Sequence, residues 1–134
     1  MAPASSAIVK RSHAKPKYVL MVLEDDDAVR ESLKFSLEIE GFEVHAYASP
    51  DELLNRSKPP VFDCLLVDYH LPGTNGLDVI DKVRQVGKSA KAILLTGNPS
   101  VHIRRRASVA GVTLIDKSSG AAVLIESIRK IIGS

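Results

Sequence analysis

The chain has 134 residues, 45% of them hydrophobic and 25% charged, which suits one packed domain and leaves no room for a second. The formal charge of +2 comes from Lys10, Arg11, Lys15 and Lys17 in an acid-free start; without these four, acids outnumber bases. The body therefore gives no reason to expect nucleic-acid binding, and no apolar stretch approaches the roughly 18 residues of a membrane span.

Residues 1–17 lack the apolar centre of a secretory signal and read as a disordered basic tail, with the folded domain over 18–134. The single cysteine, Cys64, lies in an apolar run, where a buried small side chain is expected and an intramolecular disulfide is impossible. That usage fits a reducing cytoplasm.

Tyr18 to Leu23 is an uninterrupted apolar run, as a strand covered on both faces requires. Asp26 and Asp27 then cap a helix running to about Glu40, with Val29, Leu33 and Leu37 inward and Gly41 as its stop. In Phe42 to Tyr47 apolar Phe42, Val44 and Ala46 alternate with Glu43, His45 and Tyr47, the pattern of an edge strand with His45 solvated. Ser49-Pro50-Asp51-Glu52 is a capping box for a short helix to about Ser57, and Pro59-Pro60 breaks the chain before a third strand, Val61 to Val67.

Leu71 to Gly76 must be a loop, after which Val79, Ile80, Val83 and Val86 pattern a helix ending at Gly87. The fourth strand is Ala92 to Leu95. Asn98-Pro99 signals a helix start, Gly111 ends that helix, and Val112 to Ile115 forms the last strand. The consecutive Arg104, Arg105 and Arg106 point about 100° apart on a helix and read as a solvated surface. A final helix spans about Gly120 to Ile132, with Val123 or Leu124, Ile128, and Ile131 or Ile132 inward.

Five strands alternating with five helices predict an α/β fold, a doubly wound five-stranded parallel sheet. The flavodoxin-like order 2-1-3-4-5 is expected, because the second strand reads as an edge and the first and third as central. Ligands of such sheets sit at the carboxyl ends of the strands, at the switch point between strands one and three. There the chain puts Glu24 and Asp25 after strand one and Asp68 after strand three, flanked by Thr96 and Lys117.

Each has an ordinary reading alone: a helix cap, a strand end, a surface lysine. Capping does not account for Glu24 or Asp68. Three converging carboxylates repel one another unless a cation joins them, and Mg²⁺ takes such oxygens together with water and phosphate. Asp68 would then be a nucleophile toward phosphorus, with Lys117 and the Thr96 hydroxyl stabilising the transferring group.

The runs VLEDDDAVRESL from Val22, LLVDYHLPGTNGLDVI from Leu65, AILLTG from Ala92 and GVTLIDK from Gly111 make the chain resemble the receiver domain of two-component response regulators over about 17–132. The resemblance implies Glu24 and Asp25 as the acidic pair for Mg²⁺, Asp68 as phosphoacceptor and metal ligand, and the His70 main-chain carbonyl as a further ligand. Thr96 becomes the switch hydroxyl and Lys117 the phosphate-pairing lysine. It also implies a switch that takes its phosphoryl group from a sensor histidine kinase or phosphotransfer protein, is not an enzyme beyond its own phosphorylation and dephosphorylation, and presents the fourth helix, last strand and last helix to a protein partner or a second copy.

Two positions depart from the family pattern. Ser118 follows Lys117 where proline is usual, so a trans or rearranged turn is expected, and Leu114 stands where an aromatic residue often gates. These departures support the alternative of a pseudo-receiver, an interaction module of the same fold that carries no phosphate. A small-molecule phosphohydrolase is disfavoured, since Asp68-Tyr69-His70 lacks a second acid two residues after the nucleophile.

Overall fold

The computed structural model describes residues 17–55, 61–86 and 90–133. Its main sheet has five parallel strands: β1 (Val19–Leu23), β2 (Glu43–Tyr47), β3 (Cys64–Asp68), β6 (Ala92–Thr96) and β7 (Thr113–Asp116), in the order β2-β1-β3-β6-β7. Counted without the small hairpin between β3 and β6, this is the expected 2-1-3-4-5. The helices are α1 (Asp27–Ile39), α2 (Pro50–Leu54), α3 (Gly76–Val86), α4 (Val101–Val109) and α5 (Ala121–Gly133).

Period-two alternation along the central strands divides the core between two faces. Leu20, Val22, Cys64, Leu66, Ile93 and Leu95 pack with Leu37 of α1 and with Leu124 and Ile128 of α5. Met21, Leu23, Leu65, Val67, Ala92 and Leu94 point the other way, into a cluster completed by residues of α2, α3 and α4. Each such side chain, fully buried, contributes about 1.5–3 kcal/mol, which is why three central strands tolerate no polar residue before their last positions.

β2 is an edge strand as its alternation predicts, yet Tyr47, grouped with the polar face in sequence, is buried in the cluster opposite that of Phe42 and Val44. Helices cover this edge on both sides. His45 is half-buried and pairs with Glu43 at 2.7 Å.

Other differences lie at element ends. Tyr18, Val61 and Val86 are exposed, because each sits just outside or at the last residue of its element. Val29 is exposed too, since the inner stripe of α1 narrows to Leu33 and Leu37. The N-cap of α4 is Ser100, whose hydroxyl accepts from the Ile103 N–H at 3.1 Å, in place of the Asn98-Pro99 signal. The Leu71–Gly76 loop contains the hairpin β4 (His70–Leu71) and β5 (Thr74–Asn75), closed through Gly73 at φ +74. The expected ends at Ser57 and Gly87, the Pro59-Pro60 break and residues 1–16 of the tail lie outside the described residues.

Candidate functional site

Strand register brings the charged residues to one rim. Leu23 pairs with Val67, so the next residues, Glu24 and Asp68, come side by side at the ends of β1 and β3. Asp68 pairs with Leu95 and Thr96 with Asp116, which places Thr96 one step beyond Asp68 and Lys117 one step beyond Thr96. Lys117 also follows a strand two places from β3, about 9–10 Å away at ordinary strand spacing, so only a long side chain can reach back. Its Nζ lies 3.0 Å from Asp68 Oδ2 and 3.1 Å from Glu24 Oε1.

Local hydrogen bonds hold Glu24 and Asp68 in place. The Glu24 N–H donates to Tyr47 O at 3.1 Å, and Glu24 Oε2 accepts from the Asp26 N–H at 3.1 Å. Arg30 ties the same loop, donating to Glu24 O at 3.0 Å and to Asp27 Oδ1 at 2.6 Å. Asp68 Oδ1 accepts from the His70 N–H at 3.2 Å, and the Tyr69 N–H extends the ladder to Leu95 O at 2.8 Å. Glu24 and Asp68 are 2% and 4% exposed, and no buried side-chain nitrogen or oxygen among the described residues lacks a partner.

Gly76 is a residue the sequence reading missed. It opens α3 directly over the phosphoacceptor candidate: a Cβ there would stand 2.6 Å from Asp68 O and 2.7 Å from Leu94 Cδ1. Its φ is not positive, so close packing alone explains the glycine. The only available signal was a glycine immediately after Asn75, whose side chain caps α3 by accepting from the Asp78 N–H at 3.0 Å. By contrast, a Cβ on Gly97 would meet no protein atom within 4 Å.

Glu24, Asp25 and Asp68 offer carboxylate oxygens that all lie within 4.8 Å of one another. Three hard oxygen donors, two of them buried and one exposed, suit a small divalent cation such as Mg²⁺ that keeps several waters. The His70 ring is not in this group; it is exposed and packs edge-on against Tyr69, with centroids 5.0 Å apart. Burial pushes the Glu24 carboxyl above its ordinary value, against the hydrogen bonds from Asp26 and Lys117 and reinforced by the Asp68 charge. Burial acts to lower the Lys117 ammonium, but its hydrogen bonds to Asp68 and Glu24 prevail and hold it above its ordinary value.

Thr96 is fully buried, and its hydroxyl accepts from the Asn98 N–H at 3.5 Å; among the described residues it makes no hydrogen bond to Asp68 or Lys117. Lys117–Ser119 form a single 3₁₀ turn with trans peptides, so the chain accommodates Ser118 without the family's usual proline. Leu114 is half-buried and packs against the cluster on the α3/α4 face.

The rim thus carries an acid triad, an ammonium and a hydroxyl at the switch point of a doubly wound sheet. Residues 20–129 match the family model of the response regulator receiver domain, and the chain belongs to that family, the receivers of two-component systems. The transcriptional regulatory protein FixJ of Azorhizobium caulinodans is 32% identical over 113 residues, 84% of this chain and 54% of that protein. Nodulation protein W of Bradyrhizobium diazoefficiens is 33% identical over 100 residues, 75% and 44% of the two chains. The chain spans about half the length of these curated relatives.

Among solved structures, a CheY-like receiver domain protein of Methanospirillum hungatei superimposes with a TM-score of 0.80 at 28% identity, covering 88% of this chain and 95% of that one. Response regulator protein TrrA of Thermotoga maritima, solved with Mg²⁺ and beryllofluoride, gives 0.73 at 30% identity over 85% and 98% of the chains.

Proposed function

We propose that this protein is a phosphorylation-dependent signalling switch whose acceptor is Asp68. The phosphoryl donor is a phosphohistidine of a sensor histidine kinase or phosphotransfer protein: an Asp68 oxygen forms the new P–O bond, and the P–N bond of the donor breaks toward its imidazole. The chain catalyses only this step and the later loss of phosphate to water, and it acts in the cytoplasm. No helix among the described residues is long and apolar enough to cross a membrane.

The observation that carries the reading is the meeting of Asp68 with Glu24, Asp25 and the Lys117 ammonium at one rim. Glu24, Asp25 and Asp68, with the His70 main-chain carbonyl, would hold Mg²⁺. When bound, Mg²⁺ neutralises charge on the acidic group and on the phosphoryl oxygens. Lys117 orients the Asp68 carboxylate before transfer and pairs with phosphate after it. The Thr96 hydroxyl accepts a long, weak bond from the Asn98 N–H and uses its own hydrogen to donate to a phosphoryl oxygen.

An aspartyl phosphate carries about two negative charges at the rim where the free carboxylate carried one. The chain can answer that charge through Thr96 and the loop that follows it, since Leu114 removes the aromatic gate. The face made by α4, β7 and α5 is the expected output, toward a protein partner or a second copy and not nucleic acid; α4 exposes Val101 and Val109, and α5 exposes Val123.

Incubation with Mg²⁺ and acetyl phosphate, followed by intact-mass measurement, tests the reading: one phosphate on the wild type and none on Asp68→Asn. No adduct and no beryllofluoride binding would leave the chain as an unphosphorylated interaction module.

A further inference from the structure

We propose that Asp116 and Ser118 are positioning residues for Lys117, an inference that rests on the phosphoacceptor reading of Asp68. Lys117 has a long, flexible stem, so where its ammonium arrives depends on how firmly its backbone is held. On one side the backbone is fixed by the sheet, where Asp116 pairs with Thr96. On the other side the chain has left the sheet, and no proline ring stiffens it.

The Asp116 carboxylate supplies that second restraint. Its Oδ1 accepts from the Ser118 N–H at 2.9 Å and from the Ser118 hydroxyl at 2.8 Å, capping the Lys117–Ser119 turn. Gly120, at φ +91, then lets the chain turn into α5.

The same two bonds solve a second problem. Asp116 is a carboxylate directly beside the lysine that must serve two others. Among the described residues Lys117 makes ion pairs with Glu24 and Asp68 and none with Asp116. Both donors of Ser118 hold one oxygen of the near acid, Oδ1, and Arg104 lies close enough to attract its charge. Ser118 therefore keeps Asp116 as a cap and prevents it from competing for the ammonium.

The two roles predict a pattern that simple destabilisation does not. Asp116→Ala and Ser118→Ala should each slow acetyl phosphate phosphorylation about tenfold, the scale of a modest misplacement of a reacting group. Asp116→Asn should stay near the wild-type rate, because its amide oxygen accepts the same bonds. Adding Asp116→Asn to Ser118→Ala should restore much of the rate, since the competing charge is gone.

Two readouts need no phosphoryl donor. Mg²⁺ affinity by calorimetry should hold or rise in Asp116→Ala and Ser118→Ala, as the ammonium leaves the acids. The ¹H–¹⁵N signal of the Lys117 ammonium, sheltered in the wild type, should broaden into exchange with water in both. Unchanged rates, or rate, Mg²⁺ affinity and thermal stability falling together, would overturn the proposal. A wild type that binds Mg²⁺ but accepts no phosphate would overturn the phosphoacceptor reading instead, and the ammonium signal would then decide the role of the turn.

Discussion

The two sides of the rim are built differently. Asp68 ends a central strand paired on both sides, with the main chain of its neighbour Tyr69 bonded onward to Leu95 and Gly76 and its own carbonyl covered by α3. Lys117 follows an edge strand, is 33% exposed, and sits in a one-turn helix held by side-chain hydrogen bonds. Asp68 is placed by packing and main-chain register, whereas the turn that carries Lys117 is held by polar side chains. A central strand cannot shift without disturbing two neighbours, whereas an edge turn can be rebuilt by one substitution.

Breaking the central side should have the largest effect. Gly76→Ala drives a methyl against the Asp68 carbonyl, which cannot yield without moving β3, and against the Leu94 side chain, so a loss of about 1–3 kcal/mol is expected by urea denaturation. Phosphate uptake should fall with it. Full stability in that variant would mean that α3 floats above the strand and that Asp68 is not fixed as described.

On the edge side, Lys117→Ala should leave Glu24 and Asp68 facing each other without a cation. Because Lys117 is partly exposed, the loss should fall well short of the ~3–5 kcal/mol that follows when a fully buried pair is broken. Millimolar Mg²⁺ should restore stability to Lys117→Ala but not to Gly76→Ala, since an ion relieves repulsion and not a steric clash. If Mg²⁺ stabilises neither the variant nor the wild type, the three carboxylates do not hold the ion.

The same contrast explains what could be read in advance. Apolar runs ending in Leu23, Val67 and Leu95 marked the central strands, and register then carried Glu24 and Asp68 together, because a buried parallel strand has little freedom in pattern or pairing. The small hairpin, the Ser100 cap and the 3₁₀ turn were not legible, since they depend on local hydrogen bonds that several neighbouring residue types could make. Tyr47 was misplaced because alternation reports one face, whereas helices cover both faces of this edge. Gly76 was invisible for another reason: its steric partner, the Asp68 carbonyl, is set by the packing of α3 on the strand and not by any local pattern.

A smaller effect should follow at the start of α1. Asp26 accepts from the Val29 N–H at 3.0 Å as N-cap, while its own N–H supports Glu24. Asp26→Ala keeps the second bond and loses the first, so about 1 kcal/mol of stability should go while the acid cluster keeps its Mg²⁺ affinity. A parallel loss of Mg²⁺ affinity would show that the cap, and not the main chain, orients Glu24.

The smallest effect tests the central side without a mutation. Cys64 begins β3, is fully buried, and burial pushes its thiol up to about 12. Between pH 7 and 9 almost none of it is thiolate, and a reagent cannot reach it without opening the sheet between β1 and β6. Labelling by a thiol reagent should therefore proceed only through unfolding, at a rate that rises with urea and falls when Mg²⁺ stabilises the fold. Fast labelling in native buffer would mean that β3 opens locally, and the central strand would then be no firmer a platform than the edge turn that carries Lys117.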